Sequence, residues 1–294
     1  MRVPLTSARG VASIFVREIE SLDAWAKASE EDRRRVAETL AAALGDEYRA
    51  SKRVCGKAKL AAVFHAPTST ELVIVPGGTF VMGLRADEVA RMVARTWQEG
   101  ADTVRWIEGA ATANPPRDVT VAPFLCACAP VLAKQAEALV GEAPWPVGAD
   151  DSDAAAVRFG RAHAARVLDA APFRLLTADE WEYVAREGGA LAFINGSNEE
   201  EAEAACKALY DAAYDAARDD AGTNGFGVWG LPWGDWVAAA TGRRDPHTSR
   251  GGAAMLYPWQ GDELVMQLCA LGNDACGNDE NGVRFALDLP PTAD

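Results

Sequence analysis

An α+β fold is predicted for this chain by three observations: a capped helix-period run from Phe173 to Gly189, a period-two region from about Ala61 to Gly83, and helix-period segments on either side of that region. In the run FRLLTADEWEYVAREGG, Thr177 stands where an N-cap belongs and Glu180 falls three residues later. Hydroxyl and carboxylate can then each satisfy a backbone N–H of the first turn. Trp181, Val184 and Ala185 recur at helical spacing, and Gly188-Gly189 ends the run.

The remaining elements follow in order. Residues 12 to about 50 read as helical, with a second cap at Ser29 and Asp32, a stripe of Val36, Leu40 and Leu44, and a stop at Gly45. Lys52, Arg53, Lys57 and Lys59 then read as a solvated connector, which sets residues 1–60 apart as an N-terminal helical extension and 61–294 as the main domain. Ala61 to His65 and Glu71 to Val75 alternate as strands, and Pro76-Gly77-Gly78 supplies turn chemistry before Phe80-Val81-Met82. Val89, Met92, Val93 and Trp97 mark a helical insertion over 86–113, and a further helix is expected near 131–140. Residues 150–168 read as another helix, with Asp151 and Asp153 at its start, where the dipole favours anions. The Ala-rich acidic stretch 198–220 is helix-favouring, with Ala205, Leu209 and Ala213 on one face.

Composition narrows the class of partner. The chain has 294 residues, 49% of them hydrophobic, and a formal charge of −14. An acidic surface disfavours nucleic acid and anionic membrane, both of which need cationic groups to release or replace counterions. The first residues lack a secretory h-region or a span-length apolar run, so a cytoplasmic location is expected. Six cysteines in a chain of this size do not make a disulfide framework. Cys126 and Cys128 lie two apart in an apolar run, on one face of the expected strand; they read as buried small hydrophobes, with a redox pair as the alternative.

Several blocks share a specific spelling. Arg174-Leu175 before the cap, Trp181-Glu182-Tyr183 after it and the closing glycines resemble the R-L-P-T-E-x-E-W-E-Y-A-A-R-G-G segment of the formylglycine-generating-enzyme (sulfatase-modifying-factor) family. LVIVPGGTFVMG is similar to the same family's opening strand, and Arg117 to Phe124 to a strand that precedes a helix. Asn224 to Leu231 is similar to N-x-F-G-L-Y-D-M, Arg250-Gly251-Gly252 to the R-G-G strand, and Gly282-Val283-Arg284-Phe285 to the closing G-F-R strand. The resemblance implies a C-type-lectin-like fold of the formylglycine-generating-enzyme type.

The same resemblance locates the chemistry to look for. Oxidising members carry a copper-binding C-x4-C pair after the R-G-G strand, where soft thiolates hold a cuprous ion. Here those positions fall near Leu256 and Gly261, so copper is not expected; Cys269 and Cys276, spaced C-x6-C, remain the alternative redox residues. Iron-dependent branches use an H-x3-H-x-E helix, whereas this chain has only His65, His163 and His247, scattered. The family's calcium segment G-N-V-W-E-W is replaced by Leu231-Pro232-Trp233-Gly234-Asp235-Trp236, which leaves Asp235 as the single calcium-type ligand candidate.

Between the R-G-G and G-F-R strands, Met255, Tyr257 and Trp259 alternate as on a strand, and large rigid aromatics with a polar handle suit recognition. With Trp233 and Trp236 in the neighbouring segment, and Gln260, Asp262, Asn273 and Asn278 in the same loops, they are the candidate ligand-binding residues; the opposing reading places most of the aromatics in the core. The expected function is non-catalytic binding of a protein or small ligand through loops 253–281, as in the variable display proteins of diversity-generating retroelements that share this fold. The alternative is a metal-dependent oxidoreductase with a rearranged site. A third reading makes residues 1–60 a docking arm that can be removed without unfolding the core.

Overall fold

The computed structural model describes residues 16–96, 101–141, 153–212, 215, 222–239, 242–252, 268–270 and 280–290. Three helices lead, α1 (Val16–Ile19), α2 (Leu22–Lys27) and α3 (Glu30–Leu44). The Ser29 hydroxyl accepts from the Asp32 N–H at 3.1 Å and the Asp32 carboxylate accepts from the Ser29 N–H at 3.2 Å, so α3 starts with a complete capping box. Val36, Ala37, Leu40 and Ala41 face inward.

The expected connector is instead a strand, β1 (Tyr48–Cys55), paired antiparallel with β2 (Leu60–His65). Its basic side chains are those of a sheet edge, where exposed Lys and Arg keep the unpaired backbone from recruiting another strand. A cut at residue 60 therefore falls inside a hairpin. It would also remove Trp25, Val36, Ala37 and Leu40 from a core they share with β2 and β3 (Thr70–Val75).

Strand β3 pairs with β2 as expected, but Pro76-Gly77-Gly78 does not close a second hairpin. The Gly77 N–H donates to the Ile19 carbonyl at 2.9 Å, and β4 (Gly78–Met82) leaves the sheet. The insertion comprises α4 (Ala86–Thr96) and α5 (Ala101–Ala113), and β5 (Arg117–Val121) returns to pair with β4. Next come β6 (Phe124–Ala127), α6 (Ala133–Val140), β7 (Phe159–Gly160), α7 (Arg161–Ala170), β8 (Arg174–Leu175), α8 (Ala178–Ala185) and α9 (Glu199–Asp211). The chain closes with β9 (Asp235–Ala239), β10 (Gly242–Arg250), β11 (Glu280–Asn281) and β12 (Phe285–Asp288).

The helix expected over 150–168 starts only at Arg161. Before it, Ala155 and Ala156 bridge Asp215 and Leu132, Val157 is buried, and β7 pairs with β11, so tertiary pairing overrides the helical propensity of the alanines. Asp151 and Ala213 lie outside the described residues.

The main sheet runs β1-β2-β3-β6-β12-β8 with antiparallel pairings. In its middle, Leu72 to Val75 and Phe124 to Ala127 are buried without alternation, because both faces are covered. One core joins α3, these strands, Val167 and Leu168 of α7, and Trp181, Val184 and Ala185 of α8. The architecture is thus mixed α+β with a mostly antiparallel sheet.

Candidate functional site

Segment 253–281 leaves from Gly252 and returns at Gly282, and the two ends are held side by side by the turn that carries Gly234. A short 3-10 turn, Leu231–Trp233, brings that glycine up with φ +96°, a left-handed backbone that favours glycine. A Cβ at Gly234 would come within 2.9 Å of the Gly252 Cα, and the Gly282 N–H donates to the Gly234 carbonyl at 2.9 Å. Gly252 N–H donates to the Pro232 carbonyl at 3.1 Å, and Trp236 N–H to the Gly282 carbonyl at 2.8 Å. These bonds form a stem beneath the segment.

Asp235 fixes the stem to the core. Its fully buried carboxylate accepts from Trp181 Nε1 of α8 at 3.0 Å and from Arg284 Nε at 2.8 Å, both on Oδ2. Arg284 also donates to the Ala127 carbonyl at 3.3 Å. One aspartate thus ties α8, β9, β6 and the return strand together. Both bonds fall on Oδ2, and Oδ1 has no hydrogen-bond partner among the described residues. Among the described residues no group of three or more His, Cys, Asp and Glu side chains gathers as a metal site.

A second buried cluster holds the segment further along. Glu182 Oε1 accepts from the Gly83 N–H at 2.9 Å and from Arg186 Nε at 2.8 Å, and Arg186 pairs with Glu88 at 2.6 Å. All three side chains are closed off from solvent. Arg250, the last residue of β10, lies 3.7 Å from Glu182 Oε2 and donates to the Ala270 carbonyl at 2.6 Å. The Cys269 N–H donates to the Ala192 carbonyl at 3.0 Å, and Leu268 bridges Phe193. Leu268 and Ala270 pack with Met92 and Ile107 of the insertion helices.

The predicted site residues divide accordingly. Trp233 is fully buried, and Trp236 is nearly so; its indole N–H donates to the Phe159 carbonyl at 2.6 Å while Arg161 lies over its ring at 5.4 Å. Both indoles are buried beside the stem. Met255, Tyr257, Trp259, Gln260, Asp262, Asn273, Asn278 and Cys276 lie outside the described residues. Cys269 is fully buried, and burial pushes its thiol up, which disfavours a thiolate ligand. His65 sits in β2 and His163 on the exposed face of α7, while His247 falls in β10.

Sequence reasoning missed the stem. Trp181, Glu182, Arg250 and Arg284 had been singled out by their spelling, yet it is the fold that makes them partners in two buried clusters. It also missed that Cys126 and Cys128 have separate surroundings. Cys126 is near Arg284 and its thiol is pushed up to about 12 by burial, whereas the Cys128 N–H donates to the Glu71 carbonyl at 2.9 Å and its carbonyl accepts from the Trp229 N–H at 2.7 Å.

No family model matches the chain, and no curated protein matches it. Among solved structures it is similar to PvdO from Pseudomonas aeruginosa, at 20% identity over 76% of this chain and 95% of that one, with a TM-score of 0.40. It is also similar to Treponema denticola variable protein 1, at 13% identity over 76% of this chain and 96% of that one, with a TM-score of 0.40. At this score neither likeness carries anything further about fold or activity. No helix among the described residues is long and apolar enough to cross a membrane.

Proposed function

We propose that this chain is a non-catalytic, lectin-like member of the formylglycine-generating-enzyme family that recognises a protein or small ligand through loops 253–281. The observation that carries the reading is the stem: Gly252 and Gly282 converge on Gly234, above an aspartate locked to Trp181 and Arg284. A segment whose ends are fixed by buried bonds can vary its exposed side chains without disturbing the sheet below. Met255, Tyr257 and Trp259 are the apolar anchors of the proposed surface. Gln260, Asp262, Asn273 and Asn278 supply polar contacts around them.

The acidic chain favours neither nucleic acid nor anionic membrane as the ligand. The competing oxidoreductase reading needs Cys269 as a metal or redox ligand, and the burial of that thiol counts against it. Two measurements on the full chain test the proposal. Wild-type protein captures a partner from extract of its source cells, and Tyr257→Ala with Trp259→Ala loses it. Protein purified without chelator and offered copper and iron retains neither in stoichiometric amount; one copper per chain, lost in Cys269→Ser, overturns the binding reading in favour of oxidation.

A further inference from the structure

The middle of segment 253–281 is held by a second core. Met92 of α4, Ile107 of α5, Ala192 and Phe193 form a buried apolar cluster apart from the main one, and Leu268 and Ala270 belong to it. Cys269, between them, belongs to the main core instead. Three consecutive residues are thus shared alternately between two cores, and the insertion supplies one wall of the second.

Polar bonds lock the same three residues. The Cys269 N–H donates to the Ala192 carbonyl at 3.0 Å, and the Ala270 carbonyl accepts from Arg250 at 2.6 Å. Arg186 sets the partner strand of chain, donating to the Leu191 carbonyl at 2.9 Å. The same guanidinium pairs with Glu88 of α4 at 2.6 Å and donates to the Gly83 carbonyl at 2.9 Å, at the entrance to the insertion. Insertion and segment are therefore joined twice, by apolar packing and through one buried guanidinium.

We propose that the α4–α5 insertion is the positioning element of the recognition surface: by gripping Leu268–Ala270 it divides the segment into two separately anchored spans, 253–267 and 271–279. This rests on the reading of loops 253–281 as a binding surface. A segment closed only at Gly252 and Gly282 would surrender its conformational freedom on binding, whereas a midpoint anchor makes that loss during folding. The division also sorts the ligand contacts. Met255, Tyr257, Trp259, Gln260 and Asp262 fall in the first span, and Asn273 and Asn278 in the second.

The test is hydrogen–deuterium exchange on the full chain, read on peptides across 268–270 and, for reference, on peptides of β3 and β6. The Cys269 amide should exchange on the order of 100-fold more slowly than in the urea-unfolded chain. Ile107→Ala, which removes volume from the insertion wall, should speed that exchange about tenfold or more and leave the β3 and β6 peptides unchanged. Ile107→Leu, which keeps the volume, should restore it. Ile107→Val, a milder deletion, should act on the same peptides in the same order and serves where the alanine variant does not fold. Exchange of Cys269 at the unfolded rate in the folded wild type overturns the proposal. So does equal acceleration of all three regions in Ile107→Ala, the mark of a general loss of stability. Because the exchange needs no partner, failure of the anchor is told apart from failure of the recognition reading, which shows as a wild-type chain that captures nothing.

Discussion

The two buried charge clusters under segment 253–281 do related work with different reserves. At the stem, Asp235 is matched by a single guanidinium, Arg284, and a single indole, Trp181; its Oδ1 has no hydrogen-bond partner among the described residues. Further along, Glu182 and Glu88 share Arg186, and Arg85 and Arg250 approach from the rim at 2.7 Å and 3.7 Å. A buried ion pair is a weak source of net stability, but breaking one by removing a partner strands a desolvated charge. Among the described residues the stem has no substitute partner and the second cluster has several. That difference ranks the consequences of mutation.

The largest effect is expected at the stem. Asp235→Ala leaves Arg284 buried without its counter-charge and should cost about 3–5 kcal/mol in urea unfolding. Adding Arg284→Met should recover part of that loss, and strict additivity of the two single losses would show that the pair is not coupled. In the second cluster, Glu182→Gln keeps an acceptor for Gly83 while Arg186 retains Glu88, so a smaller loss of about 1–3 kcal/mol is expected. Equal losses at Asp235 and Glu182 would erase the distinction between the clusters.

A partly exposed relative of these pairs lies at the cap of α8. Glu180 closes the Thr177 capping box and accepts a bidentate Arg174, which also reaches the exposed Asp288 at 2.8 Å. Because Asp288 remains, Glu180→Ala should cost about 1–2 kcal/mol by thermal unfolding.

His65 provides a contrast, a buried titratable group without a buried counter-charge. Burial lowers its pKa below the ordinary 6.5, against an opposing pull from Glu47. The unfolded chain then binds the proton more readily than the folded one. His65 should thus contribute stability above about pH 6.5 that is lost as pH falls through its lower folded value. A His65→Gln variant should flatten that part of the pH–stability curve, measured as melting temperature across pH 5–8. The smallest effect belongs to the exposed Arg34–Glu38 pair, where Glu38→Ala should change stability by no more than about 0.5 kcal/mol.

What could be read from the chain depended on the range of the physics. The caps at Ser29 and Thr177 were legible because a cap is settled within four residues, and both boxes are present in the structure. The edge strand β1 was not: its basic residues read as solvated, and the strand shows only through its pairing with β2. The alanines near 155 favoured a helix locally and were claimed by bridges to distant residues. Asp235 is a cation-ligand candidate by its place in the segment, and its hydrogen-bond partners Trp181 and Arg284, 54 and 49 positions away, are brought to it only by the fold.

The measurement that bears most directly on the proposed role is urea unfolding of a triple variant, Met255→Ser, Tyr257→Ser and Trp259→Ser. If these side chains are carried above a self-sufficient stem, the variant should unfold within about 1 kcal/mol of the wild type. A loss of about 6 kcal/mol or more would place them in the core, where each large-to-small change costs several kcal/mol, and would contradict a recognition surface on loops 253–281.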